Sequence, residues 1–337
     1  MDEADHALAA GLLRHLQAQD AAVTAVEDLR PVTTGASQEI WMFTASGGAT
    51  RRSLVLRRAR RWSESGQAAS AGMAAEAALL RAAAHAGVPV PTVYSELAPD
   101  EGLGEGYLMD RVEGETAGRR ILRDASFAAV RPGLLDQCAG ILARIHAVAQ
   151  ERLPGLRTGY ARDELLHWHR AYEANGVARP VFALALRWLR EHAPESVPPA
   201  LVHGDFRNGN LVAAPEEGVR AVLDWELAHV GDPMEDLGWF CVNAWRFGQV
   251  DCPAGGFGTR EALFAAYEAA GGVPVEAERV HYWEVLGNLK WGIACDAMAL
   301  AWRRGEDPSI ERLAIGRRAT EVEADLLQLL APQGTRA

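Results

Sequence analysis

Residues 201–239 read LVHGDFRNGNLVAAPEEGVRAVLDWELAHVGDPMEDLGW, and the rest of the 337-residue chain is organised around them. Short apolar runs at Leu211–Val212 and Ala221–Leu223 flank the turn-rich Pro215-Glu216-Glu217-Gly218, the pattern of a β-hairpin. Oxygen-bearing residues stand at both strand mouths, so Asp205, Asn210 and Asp224 are expected to converge at one end of the hairpin. Hard oxygen donors with no thiolate nearby suit Mg²⁺, which keeps several waters and leans on substrate phosphates.

The spacing is the sharper signal. Asp205, then Asn210 five residues later, then a strand leading to Asp224 repeats the catalytic-loop and metal-aspartate layout of kinases. In that layout the first aspartate takes the acceptor hydroxyl proton, while the asparagine and second aspartate hold metal on the nucleotide phosphates. With His203-Gly204-Asp205 and Asn210, then Leu223-Asp224-Trp225-Glu226, then Gly231-Asp232-Pro233 with Asp236-Leu237, the chain resembles the aminoglycoside phosphotransferase and choline kinase-like enzymes, relatives of the protein kinases. A lone His-Gly-Asp would be weak evidence; the ordered set is specific. The bland alternative is a buried polar hairpin with capping aspartates.

The resemblance implies an α+β, two-lobed protein kinase-like fold. Residues 1–110 would form a small nucleotide-binding lobe with an antiparallel sheet and one packed helix. Residues 111–337 would form a larger, mainly helical lobe for catalysis and acceptor binding. Its cofactors would be Mg²⁺ and ATP (or GTP) as phosphate donor, and its partner a small hydroxylated acceptor.

Bulk composition agrees. The chain is longer than a single typical core, with 49% hydrophobic and 23% charged residues. A net charge of −11 argues against a nucleic-acid partner, whose phosphates demand a basic face. No apolar run approaches the ~20 residues of a membrane span. The acidic N-terminus MDEADHALAA lacks the shape of a signal peptide, so a cytoplasmic location is expected. Cys138, Cys241, Cys252 and Cys295 are scattered without metal or disulfide spacing. Lys290 is the only lysine, so any cation on a nucleotide phosphate in the N-terminal half must be arginine.

Along the chain, Leu8, Leu12, Leu13 and Leu16 have helical spacing. The turn-rich Val32–Ser37 runs into a β-prone stretch, and the resemblance places it over the phosphates with Gly35 and Ser37 at its tip. In the strand Ser53–Arg58, period 2 puts Val55 and Arg57 on one face and Leu54, Leu56 and Arg58 on the other. Arg57 thus takes the place of the third-strand lysine, the alternative being a surface basic run. Residues 70–86 are alanine- and leucine-rich and end at Gly87 with Pro89 beyond, a well-signalled helix. The resemblance makes Glu76 in that helix the partner of the cation. It also makes Met109, Asp110 and Arg111 part of the hinge that meets the adenine edge. Val88–Val93 and Gly106–Gly114 read as the last strands of the small lobe.

Helical patterns are expected over 125–149, 182–192, 258–270, 276–304 and 309–330, with His146 on the apolar stripe of the first. His203 is expected to orient the catalytic loop. Arg207 departs from the histidine of many antibiotic-modifying members and either contacts phosphate or pairs with a neighbouring acid. Asp232 and Asp236 read as groups that pin the loops. Spellings such as HGDFRNGN and Ala314-Ile315-Gly316-Arg317-Arg318 resemble the kinase-like domains related to, and sometimes fused with, acyl-CoA dehydrogenases. That branch implies a hydroxyacyl thioester or another small hydroxylated metabolite as acceptor, with Arg246, Arg303 and Arg304 as candidates for a CoA moiety. The competitors are an antibiotic O-phosphotransferase and a pseudokinase that binds nucleotide without turnover.

Overall fold

Leu8, Leu12 and Leu16 recur every fourth residue and form the buried stripe of helix α1 (Glu3–Gln19) in the computed structural model, which describes residues 3–32, 38–48, 50–59, 72–98, 101–153 and 155–331. The stripe packs on a five-stranded antiparallel sheet. Its strands are β1 (Ala25–Pro31), β2 (Gln38–Gly47), β3 (Thr50–Ala59) and, after helix α2 (Met73–His85), β4 (Val93–Glu96) and β5 (Gly106–Asp110), in the order β1-β2-β3-β5-β4. The alternation read from β3 holds. Leu54 and Leu56 join Phe43, Leu108 and the α1 leucines in one core, while Arg57 on the opposite face meets α2. The buried side of α2, including Ala77, Leu79 and Leu80, belongs to the core of the second lobe, so the two lobes share apolar packing there.

The second lobe is mainly helical. It runs through α3 (Gly118–Arg123), α4 (Leu134–His146), β6 (Thr158–Gly159), α5 (Ala161–Asn175), α6 (Pro180–Glu191), β7 (Ala200–Val202), β8 (Leu211–Ala214), β9 (Gly218–Val222), β10 (His229–Gly231) and α7 (Met234–Phe240). It ends with α8 (Arg260–Ala269), α9 (Ala277–Arg303), α10 (Ile310–Gly316) and α11 (Ala319–Leu330). Strands β8 and β9 pair as the expected hairpin, Leu211 opposite Val222 and Val212 opposite Ala221. A small sheet β6-β10-β7 lies beside it and carries the chain into and out of the organising stretch. Helix α9 is buried on nearly every side from Val280 to Ile293, as befits the central helix of a lobe.

Four expectations need correction. The small lobe has two packed helices, because α1 covers the face that α2 does not. Val88–Pro91 is not a strand: Pro89 and Pro91 lack N–H donors, and pairing begins only at Val93. The helix expected over 125–149 begins at Leu134, after two short 3₁₀ turns, the second of which contains Pro132. The segment 309–330 is two helices, broken after Gly316, where an added Cβ would stand 2.9 Å from the Ala299 backbone nitrogen of α9. Among the described residues no helix is long and apolar enough to cross a membrane.

Candidate active site

The turn between β7 and Asp205 is fixed by its backbone. Gly204 has φ +77°, and a Cβ there would stand 2.6 Å from the Leu227 carbonyl oxygen, so only glycine fits. The His203 and Gly204 N–H groups donate to the two oxygens of Asp236, at 2.8 and 2.9 Å. Asp236 is fully buried at the start of α7 and also lies 3.2 Å from His146 Nε2. Burial alone would raise its carboxyl pKa; the bonds from His146 and His203 reverse this and hold it below the usual range. His146, expected as plain packing, is therefore bonded to the hub of the catalytic turn.

His203, expected to orient the catalytic loop, is bonded between the two loops. Its Nε2 lies 3.1 Å from the Leu223 carbonyl oxygen and its Nδ1 3.2 Å from the Asp205 N–H, which together select the neutral Nε2–H tautomer. Burial lowers its pKa against the pull of Asp236, Asp205 and Asp224, which agrees with a neutral ring. One imidazole thus links the backbone of Asp205 to the residue just before Asp224. Asp224 itself has φ 66°, a left-handed conformation that an L-residue other than glycine seldom holds, and this aims its carboxylate at the small lobe.

The hairpin brings the expected oxygens together. Asn210 Nδ2 donates to Asp205 Oδ2 at 2.6 Å and to the Asp205 carbonyl at 3.0 Å, and the Leu223 N–H closes on the Asn210 carbonyl at 2.8 Å. That orientation leaves Asn210 Oδ1, the atom a hard cation would take, out of the bonds to Asp205. Among the described residues no group of three or more His, Cys, Asp or Glu side chains is arranged to hold a metal. Two oxygen donors, Asn210 and Asp224, nevertheless fit an ion such as Mg²⁺ that keeps waters and uses substrate phosphates.

Arg57 reaches across from β3. Its Nη2 donates to Asp224 Oδ1 at 2.6 Å and lies 3.8 Å from Glu226; its Nε is 3.0 Å from Glu76 Oε1, close but off the N–H direction, so that contact is Coulombic. Gln38 Nε2 also approaches Glu76 at 3.4 Å. Burial would lower the Arg57 pKa, but Glu76 and Asp224 outweigh it and hold the guanidinium charged above its ordinary value. Arg58 turns to the other face and pairs with Glu39. Where the hinge was expected, the Asp110 and Arg111 N–H groups bond to the Thr92 and Ser53 carbonyls, and Met109 lies opposite Val55 and Val93. The N–H groups of Asp110 and Arg111 are therefore committed to small-lobe backbone rather than turned toward a ligand. Ser37 and Gly35 lie outside the described residues.

The other side of Asp205 holds Arg207, which pairs with a neighbouring acid as one of its two expected roles required, and two residues the sequence reading missed, Trp239 and Lys290. Trp239 Nε1 donates to Asp205 Oδ1 at 2.8 Å, and Arg207 Nε donates to the same oxygen at 3.0 Å while its guanidinium stacks 4.4 Å over the Trp245 ring. Lys290 Nζ donates to the Gly204 carbonyl at 2.8 Å and sits 4.4 Å over Trp239. Aromatics spaced along 239–245 and a lone lysine in an aromatic run were the available signals, but helical spacing alone favours core packing. The arginines suggested for a CoA moiety do not converge on the surroundings of Asp205. Arg246 is engaged by Glu284 at 3.0 Å and by the Cys241 carbonyl. Arg303 and Arg304 lie at the far end of α9, about 20 Å along the helix from Lys290 at 1.5 Å per residue.

An antiparallel lobe set on a helical lobe, with an Asp–Asn–Asp set and a buried arginine where they meet, defines a kinase-like phosphotransferase. The model of the phosphotransferase enzyme family (APH) matches residues 28–283, and the chain belongs to that family. Acyl-CoA dehydrogenase family member 10 of Mus musculus is 33% identical over 175 residues, 49% of this chain but only 16% of that protein's length. A Ralstonia eutropha structure named as an aminoglycoside phosphotransferase superposes with TM-score 0.71 at 22% identity, covering 95% of this chain and 97% of that one. A spectinomycin phosphotransferase in complex with ADP and spectinomycin gives TM-score 0.60 at 11% identity, covering 94% and 98%. At these identities the structural likeness establishes the fold.

Proposed function

We propose that the protein is a Mg²⁺-dependent kinase that moves the γ-phosphoryl group of ATP or GTP to a hydroxyl of a small metabolite. The observation that carries this is the convergence of Asp205, Asn210, Asp224 and Arg57 between the lobes, since phosphoryl transfer asks the protein for positioning and charge stabilisation. Residues 1–110 act as the nucleotide lobe and 111–337 as the catalytic and acceptor lobe. The segment Met109–Arg111 borders the adenine. Asp205 accepts the proton of the acceptor hydroxyl as its oxygen bonds to Pγ and the β–γ bridging oxygen departs with the nucleoside diphosphate. Asn210 and Asp224 hold Mg²⁺, which when bound neutralises charge on the phosphates. Arg57, kept in place by Glu76, gives up its hold on Asp224 to bind phosphate. His203 fixes the spacing of the two loops, and Arg207 and Trp239 fix the carboxylate of Asp205.

The similarity to acyl-CoA dehydrogenase family member 10 supports a hydroxyacyl thioester as acceptor. Cationic antibiotics suit the site less, because Arg207 and Lys290 stand beside Asp205. Retention of Asp205, Asn210 and Asp224 together argues against a pseudokinase.

The test pairs Asp205→Ala with Asp224→Ala. A nucleotide-consumption screen over hydroxylated metabolites, acyl-CoAs and antibiotics, read by product mass, first finds an acceptor. Asp205→Ala should then keep Mg-nucleotide affinity and lose about 10²–10⁴ in kcat, or about 3–5 kcal/mol of barrier. Asp224→Ala should lose nucleotide affinity and turnover together. If Asp205→Ala abolishes nucleotide binding while Asp224→Ala binds normally, the roles are wrong.

A further inference from the structure

A cleft of about 510 Å³ opens between α3 and the start of α11, and its charge is one-sided. Arg119 and Arg123 on α3 form one wall and Arg318, just before α11, forms part of the other, with Glu321 the only acidic lining residue among the described residues. Arg318 is offset by Glu321 at 3.0 Å, and Arg123 Nη2 donates to the Phe247 carbonyl at 2.8 Å. Arg119 has no carboxylate within 4.0 Å among the described residues. The cleft therefore keeps a net positive charge in a chain whose overall charge is −11.

Its position ties it to Asp205. Arg318 lies 5.9 Å over Trp291, Trp291 packs 4.9 Å from Trp245, and Trp245 carries Arg207, the residue bonded to Asp205. On the α3 side, an added Cβ at Gly118 would stand 2.8 Å from Asn208 Oδ1 in the catalytic loop and 2.4 Å from the Phe247 ring.

We propose that this cleft is the subsite for an anionic group, phosphate or carboxylate, carried by the acceptor at the end remote from its reacting hydroxyl. Paired arginines bind both anions in forked geometry. The same charge disfavours polyamine acceptors. The inference rests on the reading of Asp205 as the group that faces the acceptor.

The experiment uses the full-length protein, first titrated with Mg–AMP-PNP and then, once saturated, with phenyl phosphate, benzoate and benzylamine by calorimetry. Phenyl phosphate or benzoate should bind and benzylamine should not; their ratio identifies the anion preferred. Arg119→Glu with Arg123→Gln should weaken the anion about tenfold or more, the loss expected for one or two charge-assisted hydrogen bonds. Arg119→Glu alone, at an exposed residue, serves if the double variant does not fold. Benzylamine binding as well as the anions, or anion binding unmoved by the Arg119 change, overturns the proposal. Failure of Mg–AMP-PNP to bind while the anions still bind counts against the kinase reading and leaves the cleft intact.

Discussion

Removal of the Arg57 charge isolates the role of its buried ion pair with Glu76. Arg57→Met preserves bulk but leaves Glu76, only 2% exposed, without its cation. Stranding one partner of a buried pair costs about 3–5 kcal/mol. With an unfolding entropy of about 2.1 cal/mol/K per residue, a 337-residue chain melting as one unit would lose about 4–7 °C. The loss should depend on pH. Burial already raises the Glu76 pKa against the pull of Arg57, so without the cation the carboxyl takes up a proton. A carboxyl raised in the folded state binds more protons there than in the unfolded chain, so folding weakens as pH rises above the unfolded value. The variant should therefore melt close to the wild type near about pH 4.5 and fall progressively behind toward about pH 8. Glu76→Gln in the same chain should restore most of the loss, since no charge is then stranded. Melting curves at several pH values for wild type, Arg57→Met and the double variant decide it. A pH-independent deficit, or a double variant no better than Arg57→Met, would refute the ion-pair account.

Two further outcomes follow from the loops. Asp236→Asn replaces a carboxylate that accepts from two backbone N–H groups and His146, so denaturant midpoints should report about 3–5 kcal/mol lost; a loss below about 1 kcal/mol would show that the turn holds without it. His229 is buried with Nε2 3.1 Å from Glu235 and Nδ1 3.0 Å from the Leu227 carbonyl; burial lowers its pKa, but Glu235, aided by Glu164 and opposed by Arg157, raises it overall. Its stabilising contribution is full below the ordinary histidine value and disappears as pH rises through the raised one, at up to about 1.4 kcal/mol per pH unit, and His229→Gln should flatten that part of the stability profile.

What the sequence made legible and what it hid divide along chain distance. Asp205 and Asn210 bond across five residues, and the strand alternation that turns Arg57 toward Glu76 is a property of β3 alone. Such contacts follow from spacing, period and turn chemistry. The Trp239–Asp205, Lys290–Gly204 and His146–Asp236 contacts span 34, 86 and 90 residues, and no local pattern specifies them. Helix ends were misread for a related reason. The break after Gly316 answers to Ala299 on another helix, which propensity along 309–330 cannot register.

The same division explains why the donor side of the reaction is readable and the acceptor is not. Asp205, Asn210 and Asp224 are placed by one turn and one hairpin, with their backbone bonds closed through His203 and Asp236, so the chemistry travels with a short sequence. The proposed acceptor side is assembled from α3, α7, α9 and the start of α11, whose side chains meet only once the lobe has folded. A fold can then keep its phosphoryl-transfer centre while substitutions on these helices change what is phosphorylated. Arg57 joins the two problems, because its 2.6 Å hold on Asp224 makes the small lobe a competitor for the carboxylate proposed to hold Mg²⁺. On the proposed roles, nucleotide phosphates would relieve that competition by offering the guanidinium a better anion, so phosphate and metal binding at Asp224 should be mutually dependent.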